Sequence, residues 1–197
     1  AYQSMEKLQD AVNEYLEALR RDPDHIMAHN NLGTAYQAQG KLDEAIREYK
    51  EALRLNPDFA EIRSNLGNAY AKQGKIDEGI GECKAALRIN PNHAYAHNNL
   101  GNIYNDLGKL DEAIREYQQA IRVNPNYAMA HSNLGNAYQG QGRFDDAVRE
   151  CKEALRIKPN YSDAHNNLGN AYQTQRKFDE AIIEYKEALR INPNSAK

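Results

Sequence analysis

Two short amphipathic stretches alternate along the whole chain, and each pair ends at a proline. In the first complete pair, Ala28, Leu32, Ala35 and Tyr36 recur at three- and four-residue spacing, which places them on one face of a helix. Gly40 follows and suits the left-handed backbone at a helix C-terminus. The second stretch carries Leu42, Ala45, Ile46, Tyr49, Ala52, Leu53 and Leu55 at helical spacing. Pro57 ends it by removing a backbone donor and clashing with the turn before it. Asp43 and Glu44 in its first turn and Arg54 near its end agree with the helix macrodipole. Arg47 and Glu51, four apart, are expected to pair on the exposed face, worth about 0.3–0.5 kcal/mol. Asp58 is expected to cap the next helix, with Glu61 closing a capping box, and Asn92, Asn126, Asn160 and Asn194 to cap the others.

The pattern repeats every 34 residues, with all six prolines (Pro23, Pro57, Pro91, Pro125, Pro159, Pro193) in phase. Full repeats span 26–59, 60–93, 94–127, 128–161 and 162–195, preceded by a partial repeat over 1–25 and followed by two residues of a further one, 196–197. A fixed period of this length predicts a stacked array in which each repeat buries its apolar face against its neighbours. Residues 1–197 therefore read as one extended domain of eleven helices and no strand, with a short stub of another helix at Ala1–Glu6. Gly33 and Ala35 in the first helix are expected to face Ala45 and Ala52 in the second, letting the two backbones approach.

The run His29-Asn30-Asn31-Leu32-Gly33-Thr34-Ala35-Tyr36, followed by Ala45, Tyr49, Ala52 and Pro57, resembles the tetratricopeptide repeat, and the match covers essentially the whole chain. The resemblance implies an all-α α-solenoid of antiparallel helix pairs, wound as a right-handed superhelix with the first helix of each pair lining a concave groove. One departure is consistent. The large aromatic common near the start of the family's first helix is replaced by His29, Arg63, His97, His131 and His165. Gly79 also stands where other repeats have Ala, and Arg176 where they have Gly.

Composition narrows the function. A net charge of −3 and a pI near 6.1 make no case for nucleic acid, whose binding needs a basic stripe. No apolar run approaches the roughly 20 residues that span a bilayer. Cys83 and Cys151 take the place of Tyr49, Tyr117 and Tyr185, and two repeats of advance put them on the order of 20 Å apart. No intramolecular disulfide can form across that distance, so reduced, buried thiols and a cytoplasmic location are expected.

The residues of the first helices that point away from the packing stripe should line the groove. Met27, Asn30, Asn31, Thr34, Gln37 and Ala38 are those of the first full repeat. An inner asparagine series, Asn31, Asn65, Asn99, Asn133 and Asn167, runs through every full repeat. An outer series, Asn68, Asn102, Asn136 and Asn170, lies three residues later, headed by Thr34. A side-chain amide offers both donor and acceptor, as a peptide backbone requires. The ladder resembles the asparagine-lined superhelix of the O-linked N-acetylglucosamine transferases, which implies a grip on extended polypeptide. The inner series serves equally well as a bond between neighbouring helices. Met27, Tyr95 and Met129 at the rim, with Glu61 and Asp163, are expected to supply selectivity.

Other chemistry is thin. His25 and His29, like His93 and His97, are four apart, but nothing completes a metal-ligand set. No nucleophile–base pair, phosphate loop or dinucleotide fingerprint occurs, so neither catalysis nor a cofactor is expected. The expected function is a protein-interaction scaffold that holds an extended peptide of a partner. The alternative is the substrate-recognition arm of a larger enzyme, such as a glycosyltransferase, whose catalytic domain lies outside this chain. Ends that cut across the repeat suggest a piece of a longer array. The face with Phe178, Ile182, Tyr185 and Leu189 then lacks its covering helix, so self-association through the repeat ends is also expected.

Overall fold

The computed structural model describes residues 2–193, with side chains from residue 7 onward. Asn194, an expected cap, and the two residues opening a further repeat lie outside the described residues. Among those described there are eleven helices and no strand. They are α1 (Tyr2–Arg21), α2 (Ile26–Ala38), α3 (Leu42–Leu55), α4 (Ala60–Lys72), α5 (Ile76–Ile89) and α6 (Ala94–Asp106), then α7 (Leu110–Val123), α8 (Ala128–Gly140), α9 (Phe144–Ile157), α10 (Ser162–Thr174) and α11 (Phe178–Ile191). The expected stub at the N-terminus is not a separate element. Glu6 and Lys7, which match the turn residues Gly40 and Lys41, are helical, and α1 runs through them.

Two compact units divide the chain inside α6, residues 1–103 and 104–197. In the first, Ala45, Ile46 and Tyr49 of α3 pack with Ile62, Leu66, Ala69 and Tyr70 of α4. A smaller cluster joins Val12 of α1 to Leu32 and Ala35 of α2. Paired helices run antiparallel: Arg63 meets Glu82 while Gly67, a turn later on α4, meets Gly79, nearly a turn earlier on α5. In the second unit the core gathers Ala113, Ile114 and Tyr117 of α7 with Leu134, Ala137 and Tyr138 of α8. Ser162 of α10 donates to the Ala188 carbonyl of α11 while Gly169 lies against Tyr185, so that pair is antiparallel too. On α11, Phe178 (58% exposed), Ile182 and Ile183 (63% exposed) face water, whereas the matching Ile46 of α3 is buried.

The glycines of four Leu-Gly pairs, Gly33, Gly67, Gly135 and Gly169, are required by close approach. A Cβ on Gly33 would sit 2.8 Å from the Tyr49 ring, and one on Gly67 2.7 Å from the Cys83 sulfur. Within a repeat the helices are joined by a left-handed residue, as expected: Gly40, Gly74, Gly108 and Gly142 all have φ between 71° and 85°. Arg176 adopts φ 61° at the fifth turn, and the backbone bond from Lys177 N to Tyr172 O closes it as Lys41 N to Tyr36 O closes the first.

The turns between repeats differ from expectation. The capping box at Asp58 and Glu61 does not form; α4 begins after Phe59, whose side chain makes no cap bond, and Tyr127 and Tyr161 occupy that place ahead of α8 and α10. Residues before the prolines explain the one-residue delay. Proline forces Asn56 into an extended conformation, and its Oδ1 accepts the Asp58 amide at 3.1 Å, so Asp58 belongs to an Asx turn. Asn90 and Asn124 repeat this with Asn92 and Asn126. The side-chain caps that do form come from histidine: Nδ1 of His25 accepts from Ala28 N and Nδ1 of His93 from Ala96 N, each at 3.2 Å. On the surface, Glu51 pairs with Arg54 at 2.8 Å, not with Arg47.

Candidate functional site

The first helix of each repeat carries both asparagine series, and packing divides them. On the inner series three amide nitrogens reach back one repeat. Asn65 Nδ2 donates to Asn30 Oδ1 at 3.0 Å. Asn99 Nδ2 donates to the Ser64 hydroxyl at 3.0 Å and Asn167 Nδ2 to the Ser132 hydroxyl at 3.1 Å, each also approaching the serine's carbonyl oxygen. Asn30, expected on the open face, is buried, as are the matching Ser64, Asn98 and Ser132. Asn30, Ser64 and Ser132 receive the stitching bonds. Asn31 and Asn133 are half-buried. Sequence spacing places the two residues on one helical face but does not reveal which of them the neighbouring helix covers.

The outer series is more open: Thr34, Asn136 and Asn170 are exposed, Asn68 and Asn102 half-buried. A tyrosine of the second helix reaches this row from below. Tyr185 Oη lies 2.7 Å from Asn170 Oδ1 and 2.9 Å from Gln173 Oε1, and its single hydrogen serves one of them at a time. Tyr49 Oη donates to Gln37 Oε1 at 3.1 Å and lies 3.2 Å from the Thr34 hydroxyl. Repeats with cysteine in that place have no hydroxyl to offer. Asn68 above Cys83 and Asn136 above Cys151 make no hydrogen bond among the described residues, and both amides keep their donors and acceptors.

In the first unit this face forms a cleft of about 250 Å³. Thr34, Gln37 and Tyr49 contribute from one repeat, Asn65, Asn68 and Lys72 from the next, together with Tyr95. The rim residues Met27, Tyr95 and Met129 are all exposed. On α8 the Gln139 amide donates to the Asn167 carbonyl of α10 at 2.8 Å. Lys72 carries no sequence signal beyond being the only cation among the residues at its place in the full repeats.

The histidines are engaged in packing. His29 Nδ1 lies 2.7 Å from Glu48 and its Nε2 2.9 Å from the Pro23 carbonyl, and His131 and His165 repeat both contacts with Glu150 and Pro125, and with Glu184 and Pro159. Arg63 makes the same two bonds, to Glu82 and the Pro57 carbonyl. Both partners of His131 are acceptors, so that ring satisfies both only by donating from both nitrogens. At His131 burial pulls the pKa down, but the bonds to Glu150 and the Pro125 carbonyl outweigh it and leave the imidazole above its ordinary value. At His93 burial lowers the pKa, in keeping with a ring whose Nδ1 accepts a backbone amide. Cys83 and Cys151 are buried and not joined in a disulfide, and burial pushes the Cys151 thiol up to about 12. No group of three or more His, Cys, Asp or Glu that could hold a metal ion occurs among the described residues. No helix among them is long and apolar enough to cross a membrane.

Two-helix repeats with a glycine contact inside four of the pairs and an amide stitch between neighbouring pairs define an all-α repeat solenoid. Residues 1–40, 35–74 and 101–142 match the TPR repeat family, and residues 60–93, 82–115 and 126–194 match further tetratricopeptide repeat families. The chain belongs to the tetratricopeptide repeat family and is a protein-interaction scaffold. Among solved structures it is similar to MamA, with 30% identity over 84% of this chain and 96% of that one and a TM-score of 0.67. It is similar to TTC0263, a thermophilic TPR protein of Thermus thermophilus, with 26% identity, 86% and 93% coverage and a TM-score of 0.78. It also shares its fold with YrrB, described as a TPR protein with an unusual peptide-binding site, at 22% identity, 92% and 93% coverage and a TM-score of 0.61. No curated protein matches it significantly.

Proposed function

We propose that the asparagine face binds the main chain of an extended polypeptide segment from a partner protein. The observation that carries this is the open pair of amides at Asn68 and Asn136, each on the first-helix face and each without a hydrogen bond among the described residues. A side-chain amide that is solvated and unbonded can bind one peptide unit through both its carbonyl and its N–H. Asn102 follows Asn68 and Asn170 follows Asn136 at the same place in the repeat, and the inner series (Asn31, Asn65, Asn99, Asn133, Asn167) lies three residues earlier on the same helices. Where the inner amides spend Nδ2 between repeats, their carbonyl oxygens remain as acceptors for a peptide N–H. Met27, Tyr95 and Met129 then choose among side chains at the rim.

Each such bond contributes only about 0.5–1.5 kcal/mol net, so several rungs must act together. The test is selection of a random 12-residue peptide library on the protein, followed by fluorescence anisotropy with an enriched peptide. Changing Asn68, Asn102, Asn136 and Asn170 together to Ala should weaken binding by roughly tenfold or more while moving the melting temperature little. No enrichment, or full binding by the fourfold variant, would refute the groove assignment.

A further inference from the structure

We propose that the cleft formed by Asn65, Asn68, Lys72 and Tyr95 selects an acidic side chain, Asp or Glu, and thereby sets the register of the bound segment. The proposal rests on the groove reading above. A ladder of like amides is degenerate, because a peptide bound only through its main chain can slide and make the same bonds. Register requires a rung unlike the others. Lys72 is such a rung: the matching places in the other full repeats hold Ala38, Asp106, Gly140 and Thr174.

Lys72 follows Asn65 and Asn68 at seven and four residues on α4, so the three share one face. It is exposed and enters no ion pair among the described residues, although Arg63 on the same helix is paired with Glu82. Its charge is therefore uncommitted within the cleft. The neutral groups are also polarised towards donation. Tyr49 occupies the Gln37 oxygen and leaves its NH₂ free, while Asn68 keeps its own NH₂. Among the amides the acceptors left over are Asn68 Oδ1 and Asn65 Oδ1, one of whose amide hydrogens goes to Asn30. A peptide N–H on Asn65 Oδ1, a peptide carbonyl on Asn68 Nδ2 and a side-chain carboxylate on Lys72 with Gln37 would engage each of these four residues. A single cation matches a single negative charge; a phosphate dianion would find one partner for two charges. A cleft of about 250 Å³, room for several water molecules, admits such a side chain beside Tyr95.

The probe is the same random 12-residue library, selected in parallel on the wild-type protein and on Lys72→Glu. Wild-type selection should enrich Asp or Glu at one position, and Lys72→Glu should enrich Lys or Arg there. With the selected peptide, C-terminally amidated, replacing that acid by its amide should lower affinity about fivefold on the wild-type protein and not at all on Lys72→Gln. The difference should shrink at high salt. Recovery of affinity by a free C-terminal carboxylate on the neutral peptide would assign the site to a chain end and overturn the register claim. Enriched peptides with no acidic preference, indifferent to Lys72→Gln yet lost on the fourfold alanine variant, would overturn this inference and leave the groove intact. Absence of any enrichment would overturn both.

Discussion

The hydroxyl of Tyr185 donates to Asn170 at 2.7 Å, and one repeat earlier the thiol of Cys151 stands in the tyrosine's place. The exchange of an aromatic for a small thiol is a packing change in the core and a polarity change on the groove, because it releases the asparagine above. The Cys151 sulfur fills the position against Gly135 that the Tyr185 ring fills against Gly169. Cys151→Tyr should therefore retain the fold and bring a hydroxyl to Asn136. Peptide affinity should fall severalfold with no loss of melting temperature; unchanged affinity would remove Asn136 from the binding row.

Stability should separate the two asparagine series. Asn99→Ala leaves the buried Ser64 hydroxyl without its partner and should cost about 1–3 kcal/mol in urea unfolding. Asn68→Ala breaks no bond within the protein and should change stability by less than about 0.5 kcal/mol. Equal costs would mean that the division between stitching and open amides is misplaced.

Arg176 holds a left-handed backbone that its four counterparts reach with glycine. The side chain makes that conformation unfavourable by about 1–2 kcal/mol, partly offset by the greater entropy a glycine loses on folding. Arg176→Gly should raise stability by about 0.5–1 kcal/mol in thermal or chemical unfolding. A loss would show that the arginine side chain anchors the turn.

The histidines should give opposite pH dependences. His131 has a folded pKa above 6.5, so its contribution is complete below pH 6.5 and is lost as pH rises through the folded value. The stability advantage of wild type over His131→Gln should thus shrink from pH 6.5 upward. His93 has a folded pKa below 6.5, so its contribution is complete above pH 6.5 and declines as pH falls below it. Urea titrations of wild type, His131→Gln and His93→Gln across this range should show the two trends. Like signs would contradict the assignment of one ring as a double donor and the other as a cap acceptor.

With its thiol pushed up to about 12 and fully buried, Cys151 should resist disulfide reagents in the native protein. Labelling followed by mass spectrometry should find it modified only under unfolding conditions. Rapid native labelling would mean that α9 opens locally.

Helical spacing, six prolines in phase and Leu-Gly pairs are local signals, and they determine the helices, the repeat and the family from the sequence alone. Each turn needs only its own few residues to be recognised, and even Arg176 follows the backbone its neighbours dictate. The caps are not legible in the same way, because an Asx turn and a capping residue draw on the same amino acids. Only the extended backbone at Asn56 decides that Asp58 belongs to the turn and Phe59 to the helix boundary. Which asparagines are spent and which are open is likewise decided by tertiary structure. Asn99 and Asn68 look alike in the chain, but one meets a serine 35 residues away and the other lies above a thiol that replaces a tyrosine hydroxyl. A hydrogen bond is satisfied by whatever atom packing brings within about 3 Å, and periodicity specifies a face without specifying that atom.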